Sequence, residues 1–311
     1  MVTRVSTVGN YSAILANIMA AQQRQLEAGV RVSTQKNGSD LKDFAQNDEM
    51  LTAMRSVQTR LTGYQDQNSL IADKLTTQDT ALNQVAAASQ AIREAIADAL
   101  ASGDASTLMA EVQGQMNQAV GALNTKYNGN YLFAGGQINT QPVTAQQLSD
   151  LTSGPPIGSF FQNDQFKAQA AIDDSTTVTT GILASDVGTP LMNALQTLES
   201  FNQGGSGPLG SNLTPAQRSF LESQLSTWDS VHQGVTTITA GNGMVQQRVD
   251  NIKTDLSSRQ TTLAGMMSNI TDADMAKAAA DLQMAQTSFA AAAQVFQTLK
   301  ESSLINLLAI Q

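Results

Sequence analysis

Apolar residues recur in the first half of the chain at alternating spacings of four and three residues. The run begins at Met50, passes through Leu61 and Leu75, and continues to Ile96. This spacing is the heptad period of helices that pack side by side. Gly63 is the one glycine in the run and no proline interrupts it. The pattern therefore predicts a single helix of about 50 residues, roughly 75 Å long.

A second heptad run extends from Val231 to Ile270 and predicts a helix of similar length that lies beside the first. Thr214 followed by Pro215 marks its start, because threonine caps helices and proline is tolerated in the first turn. A Gly/Ser-rich stretch at 204–210, predicted to be a flexible connection, precedes it. Amides occupy three positions of the two heptad runs, where most residues are apolar. They either are buried between the helices and fix the register or face solvent. They are Asn68, Gln78 and Asn242.

Two shorter helices are predicted between the long ones, over residues 108–127 and 191–201. The heptad period disappears from residue 136 to residue 188, where turn residues cluster. Within this stretch, residues 157–161 and 176–182 favour β-strands. We therefore predict a small β-rich insertion at 136–188.

Both ends of the chain carry helical patterns. Leu15, Met19 and Leu26 follow the spacing of four and three near the start, and residues 282–299 contain no charged side chain. The C-terminal helix is predicted to open at Thr271-Asp-Ala-Asp274, where carboxylates can accept hydrogen bonds from free backbone N–H groups. An almost uncharged helix needs cover. We predict that it pairs with the N-terminal helix and with other copies of the chain.

The predicted fold is mainly α, a long antiparallel helical rod or coiled-coil bundle built from both termini, with a small β-rich inserted domain. Residues 1–40 with 272–311 are predicted to form a terminal coiled-coil polymerisation domain, and residues 41–135 with 189–271 a helical rod domain. The side chains predicted to form subunit contacts are Leu15, Met19, Leu26, Leu282, Gln286, Phe289, Ala293, Phe296, Leu304, Leu307 and Leu308. The amides predicted to hydrogen-bond between subunits, as opposed to facing solvent, are Gln283, Gln286, Gln294 and Gln297.

Composition excludes several classes of function. The net charge is −9, from 17 basic and 26 acidic residues, so no basic stripe is available to neutralise a nucleic-acid backbone. Cysteine is absent, which excludes disulfides, thiolate catalysis and cysteine-based zinc sites. The glutamines between residues 282 and 299 argue against a membrane span. The first eleven residues lack the apolar run of a secretory signal peptide.

No catalytic, cofactor-binding or metal site is predicted. His232 is the single histidine, and without catalytic partners nearby it is interpreted as a residue on the face of the second long helix. Asp272, Asp274 and Asp281 lack the glycine and the later glutamate of a calcium loop, so they are interpreted as carboxylates at a helix start. The chain is therefore predicted not to be an enzyme.

Three segments resemble the bacterial flagellin superfamily, and the order of elements is similar over essentially the whole chain. They are the opening Arg4-Val-Ser-Thr7, the run Tyr131-Leu-Phe-Ala-Gly-Gly136, and the ending from Asp272-Ala-Asp274 to Ser303-Leu-Ile-Asn-Leu-Leu308. The first two are most similar to the hook–filament junction branch, and the third is shared by the whole superfamily. Residues 35–43 depart from the family pattern, which leaves the hinge between terminal and rod helices open.

The resemblance implies a structural subunit of the bacterial flagellum, secreted through the type III export apparatus and polymerised at the distal end, where it joins hook to filament. Its implied partners are other copies of itself, a hook-side junction protein, filament flagellin and an export chaperone. Filament flagellin itself is the alternative within the superfamily. The heptads alone also allow a helical adaptor, which would form stable dimers with ordered ends.

Overall fold

The computed structural model describes the backbone of residues 2–38 and 40–308 and the side chains of residues 12–38, 40 and 42–299. The chain forms two compact units. One comprises Met1–Arg60 and Arg259–Gln311, and the other comprises Leu61–Ser258. Two long helices, α2 (Asp48–Ser102) and α5 (Pro215–Thr271), contribute residues to both units.

The first unit contains helix α1 (Val2–Thr34), a short 3-10 helix (Leu41–Phe44) and helix α6 (Met275–Leu308). Helices α1 and α6 pack against each other in antiparallel orientation. At one end Lys36 pairs with Asp272, and further along the pair Arg31 Nη1 lies 3.8 Å from Asp281 Oδ2. The predicted pairing of the two terminal helices is thus present within a single chain.

In the second unit α2 and α5 lie side by side and antiparallel, as predicted. Asn242 Nδ2 on α5 donates to the Leu75 carbonyl of α2 at 2.9 Å. Further along the pair, His232 Nδ1 lies 3.0 Å from the Ala86 carbonyl, so the histidine does lie on a helix face. Residue numbers rise along α2 while those of their partners fall along α5, so the two helices are antiparallel. The faces that meet are those of the two heptad runs.

The start of α5 follows its sequence signal. The Gln217 N–H donates to Thr214 Oγ1 at 3.3 Å, and the Thr214 N–H donates to Gln217 Oε1 at 3.0 Å. This reciprocal arrangement satisfies free N–H groups at the helix start. Gln217 Nε2 also donates to the Ser206 carbonyl at 2.7 Å. The connection at 204–210 is therefore tied to the start of α5 by a hydrogen bond, and its flexibility stays a prediction.

The shorter helices differ from their predicted bounds. Helix α3 covers Leu108–Leu123, and α4 covers Ala184–Gln203, with Pro190 inside it. The predicted extension of α3 to residue 127 is wrong, because the chain turns into a hairpin of β1 (Lys126–Tyr127) and β2 (Asn130–Tyr131). Asn128 and Gly129 have φ of 49° and 84°, the left-handed backbone that two-residue hairpin turns require.

The β-structure of the 136–188 stretch is small. Strands β3 (Gln169–Ala171) and β4 (Thr177–Thr179) form one antiparallel hairpin. The strand expected at 157–161 is wrong, because Ile157–Phe160 forms a 3-10 helix. Ile157 and Phe161 are both buried while Ser159 is exposed, whereas a strand with Ile157 and Phe161 on its inner face would also bury Ser159.

The amides of the heptad runs are buried, which decides between their two interpretations, yet only one of them links the long helices. Asn242 donates to α2, as described above. Asn68 Nδ2 instead donates to the Ile172 carbonyl at 2.8 Å, and Gln78 Nε2 donates to the Thr180 carbonyl at 3.1 Å. These two amides therefore hold the β3–β4 hairpin on α2 by satisfying its backbone carbonyls.

The main apolar core of the second unit lies among α2, α3, α4 and α5, and Trp228 and Phe133 are its largest fully buried side chains. A smaller cluster buries Ile172 and Val178 of the hairpin against Ile71, Leu75 and Val249. Of the helices in the described part of the chain, none is both long and apolar enough to cross a membrane.

Candidate assembly interface

Small side chains line the contact between α1 and α6. Among the described side chains of this pair, the buried apolar residues are Ala21 and Ala28 on α1 and Ala278 and Ala285 on α6. In each helix the two alanines are seven residues apart, so they fall on one face. We call these four residues the alanine seam. Because methyl groups are small, the two helices can approach closely.

Several large apolar side chains of the pair stay exposed. Leu15, Met19 and Leu26 on α1 are 52%, 62% and 64% exposed, and Met284 on α6 is 60% exposed. Single exposed apolar residues are ordinary, but several along one helix pair form a surface that suits a protein partner. The pair therefore keeps apolar area uncovered after α1 and α6 have covered each other.

Two open grooves run between the helices and share no residue. The first, which we call the leucine groove, is walled by Leu26 and Val30 of α1 and by Leu282, Gln286 and Phe289 of α6.

The second, which we call the arginine groove, is lined by two arginines of α1 and by a carboxylate and a methionine of α6, with members of the alanine seam at its base. Those four side chains are Arg24, Arg31, Asp281 and Met284. The two surfaces differ in chemistry, so a neighbour that fits one would not fit the other.

The structure places most of the predicted contact residues on this pair. Leu26, Leu282, Gln286 and Phe289 meet in the leucine groove. Ala293 and Phe296 lie further along α6 and are half-buried. Gln283, Gln294 and Gln297 are exposed. The predicted side chains of Leu304, Leu307 and Leu308 lie outside the described residues. Contact with a second subunit stays a prediction for every one of these residues.

A clamp of hydrogen bonds closes the pair at the turns next to it. The Asn37 N–H donates to the Thr271 carbonyl at 2.8 Å, and the Ala273 N–H donates to the Gln35 carbonyl at 2.9 Å. Lys36 forms an ion pair with Asp272 between them. Gln35 has a φ of 59°, which turns the chain out of α1. This clamp lies at the start of residues 35–43, the segment that departs from the family pattern.

The electrostatics of the clamp centre on Asp272. Hydrogen bonds from Lys36, Ser268 and Thr271 lower the pKa of this carboxyl from its ordinary 3.8 to about 2. Asp274 has a different task, since its Oδ1 accepts from the N–H groups of Ala276 at 2.9 Å and Lys277 at 3.2 Å. The helix-start interpretation is therefore confirmed for Asp274 alone. It is wrong for Asp272, which belongs to the clamp, and for Asp281, which lies inside α6 beside Arg31.

The alanine seam and the clamp were missed by the sequence reasoning. A signal for the seam was present, because Ala21 and Ala28, like Ala278 and Ala285, keep the heptad spacing. Larger side chains usually fill a helix interface, so leucines and phenylalanines were the expected contact residues. No local signal marked the clamp, whose two halves lie more than 230 residues apart in sequence.

The run Tyr131-Leu-Phe-Ala-Gly-Gly136 is held by a hydrogen bond to Asp164, which lies in the 136–188 stretch. Asp164 Oδ1 accepts from the N–H of Gly136 at 2.8 Å and from the N–H of Phe166 at 2.9 Å. These hydrogen bonds lower the pKa of the Asp164 carboxyl. Gly135 has a φ of 66°, and a Cβ there would lie 2.3 Å from Asp164 Oδ1. Glycine is thus required both by the backbone and by the space.

The described side chains show no metal-binding cluster, since they contain no group of three histidine, aspartate or glutamate residues close enough to hold an ion. What the α1–α6 pair presents instead is two grooves, an apolar surface and exposed amides. This arrangement can bind other helices.

Comparison with solved structures shows the same fold in flagellar proteins. A protein assigned as a flagellar hook-associated protein of Vibrio parahaemolyticus superposes with a TM-score of 0.60 at 14% identity, over 74% of this chain and 100% of that one. FlgL of Bacillus cereus gives 0.55 at 16% identity, over 70% and 99%. FlgL of Xanthomonas campestris gives 0.50 at 14% identity, over 71% and 99%.

Family comparison covers both helical ends of the chain. No match is found among the curated proteins. Residues 5–138 match the bacterial flagellin N-terminal helical region, and residues 225–308 match the bacterial flagellin C-terminal helical region. The two matched regions include all of α2, α3 and α6 and most of α1 and α5. The chain therefore belongs to the bacterial flagellin family.

Proposed function

We propose that the chain is a structural subunit of the bacterial flagellum that joins the hook to the filament. The observation that carries this proposal is the uncovered apolar surface of the α1–α6 pair, where Leu15, Met19, Leu26 and Met284 are each more than half exposed. Residues 1–40 and 272–311 form the polymerisation domain in this proposal, residues 41–135 and 189–271 the rod, and residues 136–188 the insertion.

The exposed apolar side chains favour association without securing it. Burying one leucine or methionine side chain contributes about 1.5–3 kcal/mol, so these four contribute at most about 6–12 kcal/mol. Loss of free motion on association costs about 4–15 kcal/mol. The two ranges overlap, so these side chains support a reversible contact, and a subunit needs further contacts to be held firmly in a polymer.

The place at the hook–filament junction rests on two kinds of support. The chain belongs to the flagellin family, and its fold matches structures of hook-associated proteins over nearly their whole length. Its partners in this proposal are other copies of itself, a hook-side junction protein and filament flagellin. Before assembly an export chaperone covers the apolar surface, and the flagellar export apparatus secretes the chain. It performs no catalysis.

Imaging of the labelled chain along intact flagella tests the location. We expect signal in one short zone at the base of each filament. Signal along the whole filament, together with a dominant band in sheared flagella, would replace the junction role with that of filament flagellin. Stable micromolar dimers that never enter flagella would favour a helical adaptor.

Substitution of the surface tests the mechanism. Met19→Ser with Leu26→Ser removes two exposed apolar side chains without touching the alanine seam, so the subunit should stay folded and fail to incorporate. Met244→Ser is the matched control, because Met244 is 68% exposed in the second unit. Incorporation of the double variant at the control level would contradict the proposed surface.

A further inference from the structure

A cleft of about 290 Å³ opens in the second unit, beside the hairpin of β1 and β2. Lys74 of α2 lines it together with two tyrosines, Tyr127 and Tyr131. Ile138 and Ile182 add apolar walls, and amide side chains lie at the hairpin turn. The cleft is therefore a small open site with apolar, aromatic and amide walls, and Lys74 is the one charged residue that lines it.

Lys74 has no counter-charge. None of the lining residues is acidic, and among the side chains that the structure describes the Lys74 ammonium makes no ion pair or hydrogen bond. Lys36, Lys42 and Lys167, by contrast, each pair with an aspartate. Burial lowers the pKa of the Lys74 ammonium, which reflects the free-energy cost of keeping a charge in this place.

A second cation and two exposed apolar side chains adjoin the cleft. Lys126 Nζ lies 4.4 Å from the centre of the Tyr131 ring. Leu70 is 59% exposed and Ile138 is 42% exposed. Both belong to the same neighbourhood, because Tyr127 Oη donates to the Leu70 carbonyl at 3.4 Å and the Tyr131 N–H donates to the Ile138 carbonyl at 2.9 Å.

The residues that line the cleft indicate which kind of ligand it would bind. A carboxylate would supply the missing counter-charge to Lys74, and a short aliphatic stem would lie against the tyrosines and isoleucines. A phosphate-sized dianion fits less well, because Lys74 is the one cationic residue among those that line the cleft, and Lys126 lies over the Tyr131 ring. The side chains of aspartate and glutamate have the required form, and every copy of this acidic chain carries 26 of them.

We propose that the Lys74 cleft binds a carboxylate, and that an aspartate or glutamate side chain of a second copy of this chain supplies it in the assembled flagellum. The second half of this proposal rests on the proposed function, since it requires copies to meet. Contacts between subunits would then include an ion pair at Lys74 in addition to the apolar surface of α1 and α6. This electrostatic complementarity would fix how neighbouring subunits align.

The first test uses the free full-length chain. Reductive ¹³C-methylation labels lysines and keeps their charge, and Lys74→Met identifies the Lys74 resonance. Propionate, which mimics the glutamate side chain, should shift that resonance in a saturable way and leave the Lys277 resonance in place. Propionamide has the same size without the charge and should have no effect. Absence of a saturable shift, or an equal shift with propionamide, would overturn the carboxylate site.

The second test uses flagella assembled from a mixture of ¹⁴N-labelled and ¹⁵N-labelled chains. A carbodiimide joins an amine to a carboxylate only where the two touch, so Lys74 should form mixed-isotope peptides with an acidic residue. If flagella contain the chain and Lys74 forms no such link, the second copy is not the source, and free small carboxylates remain as ligands. If flagella lack the chain, the proposed function fails while the propionate result stands.

Discussion

Lys36 forms an ion pair with Asp272 across 236 positions of sequence and so joins the turn after α1 to the turn before α6. Backbone hydrogen bonds from Asn37 to Thr271 and from Ala273 to Gln35 flank the pair on both sides. Side chains this exposed contribute little by attraction alone. Their position matters more, because the clamp sets where the two terminal helices begin to run together.

Titration of Asp272 provides a direct test of the clamp. Its folded-state pKa is lowered from 3.8 to about 2, so its stabilising contribution is present above pH 3.8 and is lost as the pH falls through about 2. We expect the carboxyl carbon of Asp272 to titrate near pH 2 by NMR. In Lys36→Met the midpoint should rise towards 3.8, since the first cause of the shift is removed. A midpoint unchanged by Lys36→Met would show that the ion pair of the clamp does not form in solution.

Enlarging one alanine of the seam should separate the terminal helices. Ala28 is 3% exposed, so Ala28→Leu overfills the contact and should destabilise the α1–α6 pair by about 1–3 kcal/mol. Hydrogen exchange of α1 measures this loss. Gly29→Ala is the control, because a Cβ there meets nothing within 4 Å, and it should protect α1 slightly through higher helix propensity. Equal exchange in the two variants would mean that α1 and α6 do not meet at Ala28.

Removal of a buried amide should loosen the β3–β4 hairpin. Asn68 is fully buried and donates to the Ile172 carbonyl at 2.8 Å, so Asn68→Ala should lower the free energy of unfolding by about 1–3 kcal/mol. Gln67 donates to the adjacent Ala171 carbonyl at 2.9 Å and is exposed, so Gln67→Ala should cost less than about 0.5 kcal/mol. Chemical denaturation of both variants measures the difference, and equal losses would contradict the role of burial.

Close approach of two backbone segments should make Gly181 intolerant of a side chain. A Cβ at Gly181 would lie 2.3 Å from the Ala168 amide nitrogen, so Gly181→Ala should destabilise the second unit by about 1–3 kcal/mol. Gly234→Ala is the matched control on α5, where nothing lies within 4 Å, and it should raise stability by up to about 1 kcal/mol. Thermal unfolding of the two variants compares them, and an unchanged melting temperature for Gly181→Ala would refute the close contact.

Deletion of residues 294–311 should separate folding from assembly. The core clusters of the second unit contain no residue from this segment, so circular dichroism should still report a folded rod. The truncated chain should fail to enter flagella, because it lacks Phe296 and the other C-terminal residues that we propose contact a second subunit. Normal incorporation of this truncation would overturn the account of the terminal helices.

Local patterns were enough to predict the helical framework. Heptad runs marked α2 and α5 because side chains that recur every 3.5 residues must share a face, and Thr214 with Pro215 marked where α5 begins. The charge-free stretch at 282–299 indicated that α6 needs cover. Each of these signals lies within one segment of sequence, so no knowledge of distant neighbours was required.

Tertiary structure alone decided which faces meet. The spacing of four and three allowed Leu26 to lie inside or outside the α1–α6 pair, and the structure exposes it while Ala28 is buried. It also assigned Asn68 to the hairpin and Asn242 to the other long helix, and it brought Lys36 to Asp272. Helical period specifies which residues share a face, but the choice between faces depends on how closely segments hundreds of residues apart can pack.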